Sequence, residues 1–408
     1  MAMDEAALAL AAVESLRAGV PTRLATRLMP DIRKPVTDMF LGDLASLAAG
    51  GKPEGRILWG EYGQGKTHML TTLAHAALER GFAVSMIALS REVSLHQLLP
   101  FYGRAAAALR VPDSVIPGIL APLLRRGGDG LANSPIKALG RYPHPLPAIV
   151  LEDLFASAGE EQDLLYGDLV GCPLAMSEVR RIHRACRGEA MPRFAERFRA
   201  HLHAPAYFGV MADAIRYSGY QGWVILLDEV ELAGRLGKAS RLLAYRHLAW
   251  LLGWMQAMPY PIYVVAATAS RLKTERMYEG SSRQQDDRSV FPDLAAERFG
   301  PGARQEMEHF FKRAISTHCP SVRQATQSEV ATVLDRVVQL HGLAYDWPAQ
   351  LDVGTLLAQI PNVPVRTQIR AALEALDQGR LYREATVPTA GPLAEASLAE
   401  NEGFFTVP

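Results

Sequence analysis

Eight consecutive residues near position 60 have the composition of a loop that holds phosphate. Gly60-Glu61-Tyr62-Gly63-Gln64-Gly65-Lys66-Thr67 has the spacing G-x-x-x-x-G-K-T and directly follows the short apolar run 56–59. Its glycines let the backbone curl around a phosphate chain without a Cβ in the way. The loop N–H groups, the start of the next helix and the Lys66 ammonium favour anions, and the Thr67 hydroxyl suits Mg²⁺. The spacing therefore predicts a nucleotide site over 60–67, and His68 is expected to pack or contact phosphate beside it.

Two adjacent acids form a second candidate group. Asp228 and Glu229 directly follow the apolar run 223–227. At the end of a buried strand, Asp228 can hold Mg²⁺ beside Thr67, and Glu229 can polarise the water that attacks a γ-phosphate. An ordinary strand with an acidic turn would look the same in isolation. Downstream of the glycine-rich loop, however, the two groups are in the order that ATP hydrolysis requires, so we predict an ATP·Mg²⁺ site.

Polar and cationic residues elsewhere extend this hypothesis. Thr268, or its neighbour Ser270, ends the next apolar run and would orient the attacking water, or simply begin a turn. Arg298 is a candidate finger toward a neighbouring subunit, and Arg366 a candidate sensor in a C-terminal helix. Either arginine is as readily explained as a surface or ion-paired side chain. Three other arginines are rivals for these roles: Arg304, Arg313 and Arg370.

These residues require a sheet that brings strand ends together. Apolar runs of strand length occur at 56–59, 82–89, 223–227 and 261–267, and runs without alternation suit parallel strands covered on both faces. Helices are predicted between and around them, at 6–17, 37–49, 68–80, 96–109, 151–157, 175–186, 191–201, 238–258, 303–318, 328–341, 353–360 and 363–379. The pattern predicts an α/β P-loop NTPase fold, a parallel sheet flanked by helices. No strand is predicted between 90 and 222, and no clear fifth strand before the C-terminal helices.

The predicted elements suggest a division of the chain. We expect an N-terminal helical segment at 1–50 and an ATPase core at 51–302 with a large helical insertion at about 111–204. A C-terminal helical lid would follow at 303–383, with a flexible tail at 384–408 that is rich in Ala, Pro and Gly. Within the insertion, 180–187 and 193–199 are basic; such stretches are usually solvated faces, with a nucleic-acid or partner contact as the alternative.

Composition limits the class of protein. The 408 residues carry 43 Lys and Arg and 43 Asp and Glu, so no global basic bias points to nucleic acid. Cys172, Cys186 and Cys319 are odd in number and lack a C-x-x-C spacing, which favours free thiols in a reducing compartment. The N-terminus has acids in place of a positively charged signal region, and no apolar run reaches 18 residues. We expect a cytoplasmic protein without a membrane contact.

The loop sequence also carries a family resemblance. G-E-Y-G-x-G-K-T is similar to the phosphate-binding loop of the BrxD-type ATP-binding proteins of bacterial BREX phage-defence systems. The stretches 14–21, 81–85, 95–98 and 226–231 also resemble that family, and the likeness covers most of 8–110 and 205–275. The resemblance implies an AAA+ ATPase near the initiator-type clade, with a helical lid, working with other defence proteins around DNA.

Three functions follow as hypotheses. The first is an ATPase that uses ATP and Mg²⁺ to change assembly or DNA contacts in a defence complex, with Lys66, Thr67, Asp228 and Glu229 as its chemical residues. The second is a nucleotide-gated scaffold in which hydrolysis is incidental. The third is a DNA-loading module resembling replication initiators, against which the neutral net charge counts mildly. Partners are expected to be other defence proteins, further copies of this chain, or DNA.

Overall fold

The structure is a computed structural model that describes residues 5–19, 22–112, 114, 116–138, 140–278, 286–360 and 363–382. The described residues form two compact units. A core unit comprises Arg33–Val322, and a terminal unit joins Met1–Ile32 to Arg323–Pro408. The domain division predicted from the sequence remains a prediction. The first helical part of the predicted lid, 303–383, lies in the core unit. The predicted tail, 384–408, lies outside the described residues.

The described part of the core unit consists of five strands with helices before, between and after them. The strands are β1 (Arg56–Gly60), β2 (Ala83–Ala88), β3 (Leu109–Arg110), β4 (Trp223–Asp228) and β5 (Ile262–Ala269). The helices are α3 (Lys34–Ala48), α4 (Lys66–Glu79), α5 (Leu98–Ala107), α6 (Leu120–Arg126), α7 (Leu146–Ala156), α8 (Glu160–Leu169), α9 (Met176–Arg187), α10 (Ala200–Tyr217), α11 (Lys238–Leu251), α12 (Ser270–Leu272), α13 (Asp287–Phe299) and α14 (Gly302–Ala314). Shorter helical turns cover Val230–Arg235 and Lys273–Met277.

The sheet is mostly parallel and has the order β1-β5-β4-β2-β3. Of the five strands that the structure describes, the two-residue β3 runs antiparallel. Because β5 lies between β1 and β4, its end separates the end of the loop strand from the end of the acidic strand; Thr268 pairs with Trp59, and Ala88 pairs with Asp228. The structure therefore confirms a mixed α/β fold with a mostly parallel sheet flanked by helices.

Within the described ranges, one further bridge extends the sheet beyond β1. Ser321 pairs with Trp59 in parallel orientation, and the Trp59 N–H donates to the carbonyl of Pro320. The sequence showed no clear strand in this region, because the residues around Ser321 have neither an apolar run nor alternation. The bridge brings the end of the core unit alongside the strand that leads into the glycine-rich loop.

Hydrophobic packing on both faces explains the unbroken apolar strands. All residues of β4 and β5 are buried. Alternate side chains enter two separate clusters: Ile225 and Leu227 lie in one, whereas Val224 and Leu226 lie in the other, against α3 and α4. Burying both faces stabilises the sheet from which the polar strand ends project.

The segment between β2 and β4 is mainly helical, and its details differ from expectation. The helix predicted at 191–201 is wrong: this stretch is irregular until α10 begins at Ala200, and α10 was not predicted. The helix predicted at 238–258 ends at Leu251, where Gly253 takes a positive φ of 69°. The short strand β3 and the helices α6 and α8 were also missed. The helical character expected for about 111–204 is otherwise present.

The terminal unit is entirely helical in its described part. It consists of α1 (Glu5–Ala18), α2 (Arg23–Leu28), α15 (Gln327–Tyr345), α16 (Val353–Gln359) and α17 (Val365–Tyr382). Ala12 and Val13 of α1 pack with Leu340 and Leu376 in one apolar cluster. The Arg17 guanidinium donates to Asp377 at 2.7 Å, which ties the first helix to the last. The first described helix thus shares a hydrophobic core with α15 and α17.

Two general features of the chain bear on its chemistry. No helix in the described part combines the length and apolar character that crossing a bilayer requires. The three cysteines are free thiols, and Cys319 is buried.

Candidate nucleotide-binding site

The glycine-rich loop joins β1 to α4 with two residues in left-handed backbone conformation. Gly63 has φ 79° and Gly65 has φ 86°, values that residues other than glycine rarely adopt. Gly65 is the residue immediately before α4. The Glu61 N–H donates to Gln64 Oε1 at 2.7 Å, which closes the loop on itself. The spacing of the glycines therefore matches the positions where the loop must turn.

Gly60 is confined by its surroundings. A Cβ placed there would lie 3.2 Å from Gln64 Oε1 and 3.2 Å from the carbonyl oxygen of Val322. Such distances are tighter than ordinary van der Waals contact, so a side chain would push against the loop and the bridge beyond β1. Glycine at this position keeps the start of the loop close to its own backbone.

Lys66 is a buried ammonium at the mouth of the loop. Only 9% of the residue is exposed, and its Nζ donates to the carbonyls of Gly60 at 3.1 Å and Glu61 at 3.0 Å. These carbonyls are neutral, so they satisfy its hydrogen bonds without balancing its charge. A buried cation next to loop N–H groups and a helix N-terminus favours an anionic ligand.

Thr67 and Asp228 connect the loop to the acidic strand. The Thr67 hydroxyl donates to Asp228 Oδ2 at 2.6 Å. Asp228 is the last residue of β4 and only 4% exposed, and its Oδ1 accepts the N–H of Glu229 at 3.0 Å. One hydroxyl and one carboxylate are thereby held in contact at the edge of the sheet.

Glu229 occupies an unusual backbone conformation. Its φ of 59° and ψ of 34° lie in the left-handed region, which costs a non-glycine residue on the order of 1–2 kcal/mol. Burial raises the pKa of its carboxyl, and the negative charges of Glu231 and Asp228 raise it further, against the opposing charge of Lys66. A strained backbone and a raised pKa in one carboxyl are typical of functional positions.

The end of β5 supplies a buried hydroxyl between the loop and the acids. Thr268 is 1% exposed, and its Oγ1 finds no hydrogen-bond partner among the described residues. Buried polar atoms without a partner are uncommon and point to a missing ligand or water. Ser270, the alternative to Thr268, begins the helical turn after β5 and is half-buried. Of the two hydroxyls, that of Thr268 is the buried one without a described hydrogen-bond partner, so it is the better candidate for contact with a ligand.

Glu231 is a residue whose role the sequence did not indicate. Its Oε2 accepts the N–H of Ala269 at 2.9 Å, at the very end of β5. This bond joins the turn after Glu229 to the strand that carries Thr268. The acidic spacing after β4 was the only signal in the sequence, and it gave no indication that the second acid reaches a neighbouring strand.

The remaining loop residues and the arginines are placed as follows. Tyr62 is 77% exposed and His68 is half-buried in the first turn of α4. Arg298 is exposed in the last turn of α13, with its guanidinium 5.8 Å from the ring of Phe299. Arg366 is exposed in the first turn of α17 in the terminal unit.

The rival arginines are engaged elsewhere. Arg304 forms an ion pair with Asp293, and Arg313 forms one with Glu54. Arg370 donates to the carbonyls of Arg17 and Ala18 within the terminal unit. Of the candidate arginines in the core unit, Arg298 is therefore the one for which the structure describes no ion pair.

The donor set fits a nucleotide with Mg²⁺. The buried Lys66 and the loop N–H groups suit phosphate oxygens, and the pair Thr67 and Asp228 offers the oxygen ligands that Mg²⁺ prefers. The described residues contain no group of three or more His, Cys, Asp or Glu placed to hold a metal by themselves. A Mg²⁺ ion here would take its remaining ligands from phosphate and water, as is usual for this ion.

Fold and site together define a mixed α/β protein with a glycine-rich loop, a buried lysine and an acid pair at one edge of a mostly parallel sheet. Residues 6–126 match the family described as BREX system ATP-binding protein BrxC/D. The match includes the loop at 60–67 and ends before Asp228, and over this segment the resemblance predicted from the sequence is confirmed. No curated protein and no solved structure matches the chain.

Proposed function

We propose that this chain is an AAA+-type ATPase that binds ATP with Mg²⁺ and works within a BREX-like phage-defence system. The hydrogen bond between Thr67 and Asp228 carries the proposal, because it joins the phosphate-type loop to the acidic strand. The family match over 6–126 supports ATP as the nucleotide and other defence proteins as partners.

Lys66 and the loop would hold the nucleotide. The Lys66 ammonium would contact the β- and γ-phosphates, with loop N–H groups and the start of α4 around them. Thr67 and Asp228 would hold Mg²⁺, which when bound neutralises charge on the phosphate oxygens. The carbonyls of Gly60 and Glu61, which accept from Lys66, hold its ammonium at the loop.

Glu229 and Thr268 would act on the attacking water. Glu229 directly follows Asp228, the acid that would hold Mg²⁺. The pKa of the Glu229 carboxyl is raised toward neutral pH, which suits a general base. The unpartnered Thr268 hydroxyl lies at the end of the strand between β1 and β4, where it can orient the water or a γ-phosphate oxygen. The exposed Arg298 would supply charge to the site of a second copy of the chain.

The substitution Glu229→Gln tests this assignment. We expect ATP affinity within about threefold of the parent and a fall in hydrolysis of roughly 10²–10⁴-fold, the usual contribution of a general base. Glu79→Gln is the matched control, because Glu79 is an exposed carboxyl at the far end of α4. It should leave both quantities unchanged.

Binding and turnover are measured separately, by titration with a fluorescent ATP analogue and by phosphate release. Equal phosphate release from parent and Glu229→Gln protein would remove Glu229 from its role. Nucleotide binding with no phosphate release from the parent would instead favour the nucleotide-gated scaffold. Lys66→Ala should abolish both, and nucleotide affinity that survives Lys66→Ala would contradict the proposed site.

A further inference from the structure

Positive charge is concentrated in one short stretch of the insertion. Residues 176–199 contain seven arginines, no lysine and three glutamates, in a chain whose net charge is zero. Arginine without lysine is typical of surfaces that recognise phosphate, because the guanidinium donates in a planar fork. A local excess of charge in a neutral protein needs a structural or functional reason.

Three of these arginines have a structural role. Arg181 pairs with Glu161 and Glu178, Arg187 pairs with Asp153, and Arg199 pairs with Glu196. The other four are exposed, and none of them forms an ion pair with another residue that the structure describes. We call these four the basic surface: Arg180, Arg184, Arg193 and Arg197.

Two residues of the basic surface share one face of α9. Val179 and Ile182 of this helix are buried, so the face that carries Arg180 and Arg184 points away from the core. Their spacing of four residues makes their side chains neighbours. The helix itself is fixed, because His183 Nδ1 contacts Asp153 Oδ2 of α7 at 2.7 Å.

The other two residues lie on irregular but anchored backbone. Phe194 and Phe198 pack against the ring of His144, with ring centroids 4.8 and 5.3 Å away. The carbonyl of Glu196 lies 3.2 Å from His144 Nε2. Arg193 and Arg197 immediately precede the two phenylalanines, so their backbone positions are fixed by these contacts although no helix holds them.

Both anchors lie in or just before the same helix. Asp153 lies within α7, and His144 lies two residues before its start. Contacts with α7 and with the residues just before it therefore hold the backbone of both arginine pairs.

We propose that the basic surface binds the phosphodiester backbone of a nucleic acid without reading its sequence. Four exposed arginines on fixed backbone supply positive charge and bidentate donors for phosphate oxygens. A carboxylate-rich protein would offer negative charge as well, but not the phosphate groups that the planar guanidinium fork binds with two hydrogen bonds. The proposal does not depend on ATP hydrolysis.

Duplex DNA of 30 base pairs with a fluorescent label is the probe, and anisotropy between 50 and 200 mM salt is the measurement, without nucleotide. Four phosphate contacts predict a slope of log affinity against log salt near −3.6, or a loss of about two orders of magnitude over this range. Each double variant, Arg180→Gln with Arg184→Gln or Arg193→Gln with Arg197→Gln, should reduce the slope by about 1.8.

Arg181→Gln combined with Arg199→Gln is the matched control. It removes two charges from the same stretch, but from arginines already paired with glutamates, so the slope should change by less than 0.5 if pairing withholds them. An equal effect of the control and the test variants would show general electrostatics and overturn the proposal. Circular dichroism of every variant checks that the fold is retained.

Two further outcomes decide the proposal. Parent protein that does not bind the duplex at 50 mM salt would overturn it, and so would polyglutamate competing as well as DNA at equal charge concentration. Repeating the titration with Lys66→Ala separates this site from the nucleotide site: DNA binding should persist while ATP binding is lost. DNA binding that disappears with Lys66→Ala would place the contact at the glycine-rich loop instead.

Discussion

The Thr67 hydroxyl donates a 2.6 Å hydrogen bond to Asp228 Oδ2, between residues 161 positions apart in the sequence. Thr67 is set by the glycine-rich loop and the start of α4, whereas Asp228 is set by the end of β4. Their contact is a consequence of the parallel sheet, which gathers the carboxyl ends of its strands at one edge. The first prediction tests what this pair holds.

Thr67→Ala should raise the Mg²⁺ concentration that ATP turnover requires, because it removes one oxygen ligand. We expect a fall in turnover of roughly 10²-fold, similar to the loss of one preorganised polar group in an active site. Thr67→Ser keeps the hydroxyl and should stay within a few-fold of the parent. Titration of phosphate release with Mg²⁺ measures both; equal activity of the alanine and serine variants would exclude Thr67 as a ligand.

Gly65→Ala should destabilise the core unit through the backbone alone. Gly65 has φ 86°, and a Cβ at this position would have no other atom within 4 Å. The loss in the free energy of unfolding is therefore purely conformational, about 1–2 kcal/mol. Gly42→Ala is the control: it also meets no neighbour, but it lies inside α3, where alanine stabilises by about 0.5–1 kcal/mol. Chemical unfolding of both variants should give shifts of opposite sign, and a stabilised Gly65→Ala protein would contradict the loop geometry.

Glu229→Gln should raise the thermal stability of the ligand-free protein. Glu229 is half-buried beside Asp228 and Glu231, which raises the pKa of its carboxyl, so its charge destabilises the folded state at neutral pH. The gain should be present above the raised pKa and should vanish in acid, where the parent carboxyl is protonated in both states. Differential scanning fluorimetry at several pH values, with Glu79→Gln as control, checks the sign. A lower melting temperature for Glu229→Gln at neutral pH would contradict this account.

Much of the site could be predicted from the sequence because its signals are local. The loop glycines, Lys66 and Asp228 each lie next to an apolar run that the sequence shows directly. The carboxyl ends of parallel strands lie at one edge of any such sheet, so their proximity could be predicted without knowing the strand order. The role of Glu231 could not be predicted, since its hydrogen bond to Ala269 depends on which strand lies next to β4. Strand order is a long-range property.

The errors in the helical insertion have the same physical origin. Residues 191–201 have helix-forming Ala, Glu and Arg, but packing of Phe194 and Phe198 on His144 holds most of the stretch in irregular backbone. Tertiary contacts here outweigh intrinsic propensity. The pairing of α1 with the C-terminal helices was likewise beyond local pattern, because their apolar faces meet only in the folded terminal unit.

The start of α15 should make the terminal unit sensitive to acid. The Arg323 guanidinium and the Thr326 N–H donate to Glu329, and these bonds lower the pKa of its carboxyl from 4.5 to about 2. A depressed pKa contributes stability that is present above about 4.5 and lost as the pH falls toward 2.

Glu329→Gln should remove this pH dependence, because its neutral amide cannot titrate. Amide hydrogen exchange of the first turn of α15, followed from pH 5 to pH 2.5, should show growing loss of protection in the parent relative to the variant, after correction for intrinsic rates. A constant ratio between the two proteins over this range would show that Glu329 does not stabilise the helix start through its charge.

The last prediction concerns the bond between Glu231 and the end of β5. Glu231→Ala would leave the Ala269 N–H without its acceptor and free the turn that carries Glu229. Glu231→Gln retains an oxygen that can accept from Ala269. We therefore expect turnover to fall roughly tenfold or more in the alanine variant, as when support of an active group is lost, and to recover largely in the glutamine variant.

The measurement separates positioning from binding. Because Glu231 touches neither the glycine-rich loop nor Lys66 in the described contacts, nucleotide affinity should stay within a few-fold of the parent in both variants, and the loss should fall on kcat. Glu275→Gln is a suitable control, since Glu275 is an exposed carboxyl on the helical turn that follows β5. If alanine and glutamine at position 231 reduce kcat equally, the negative charge of Glu231, rather than its hydrogen bond to Ala269, is what the site requires.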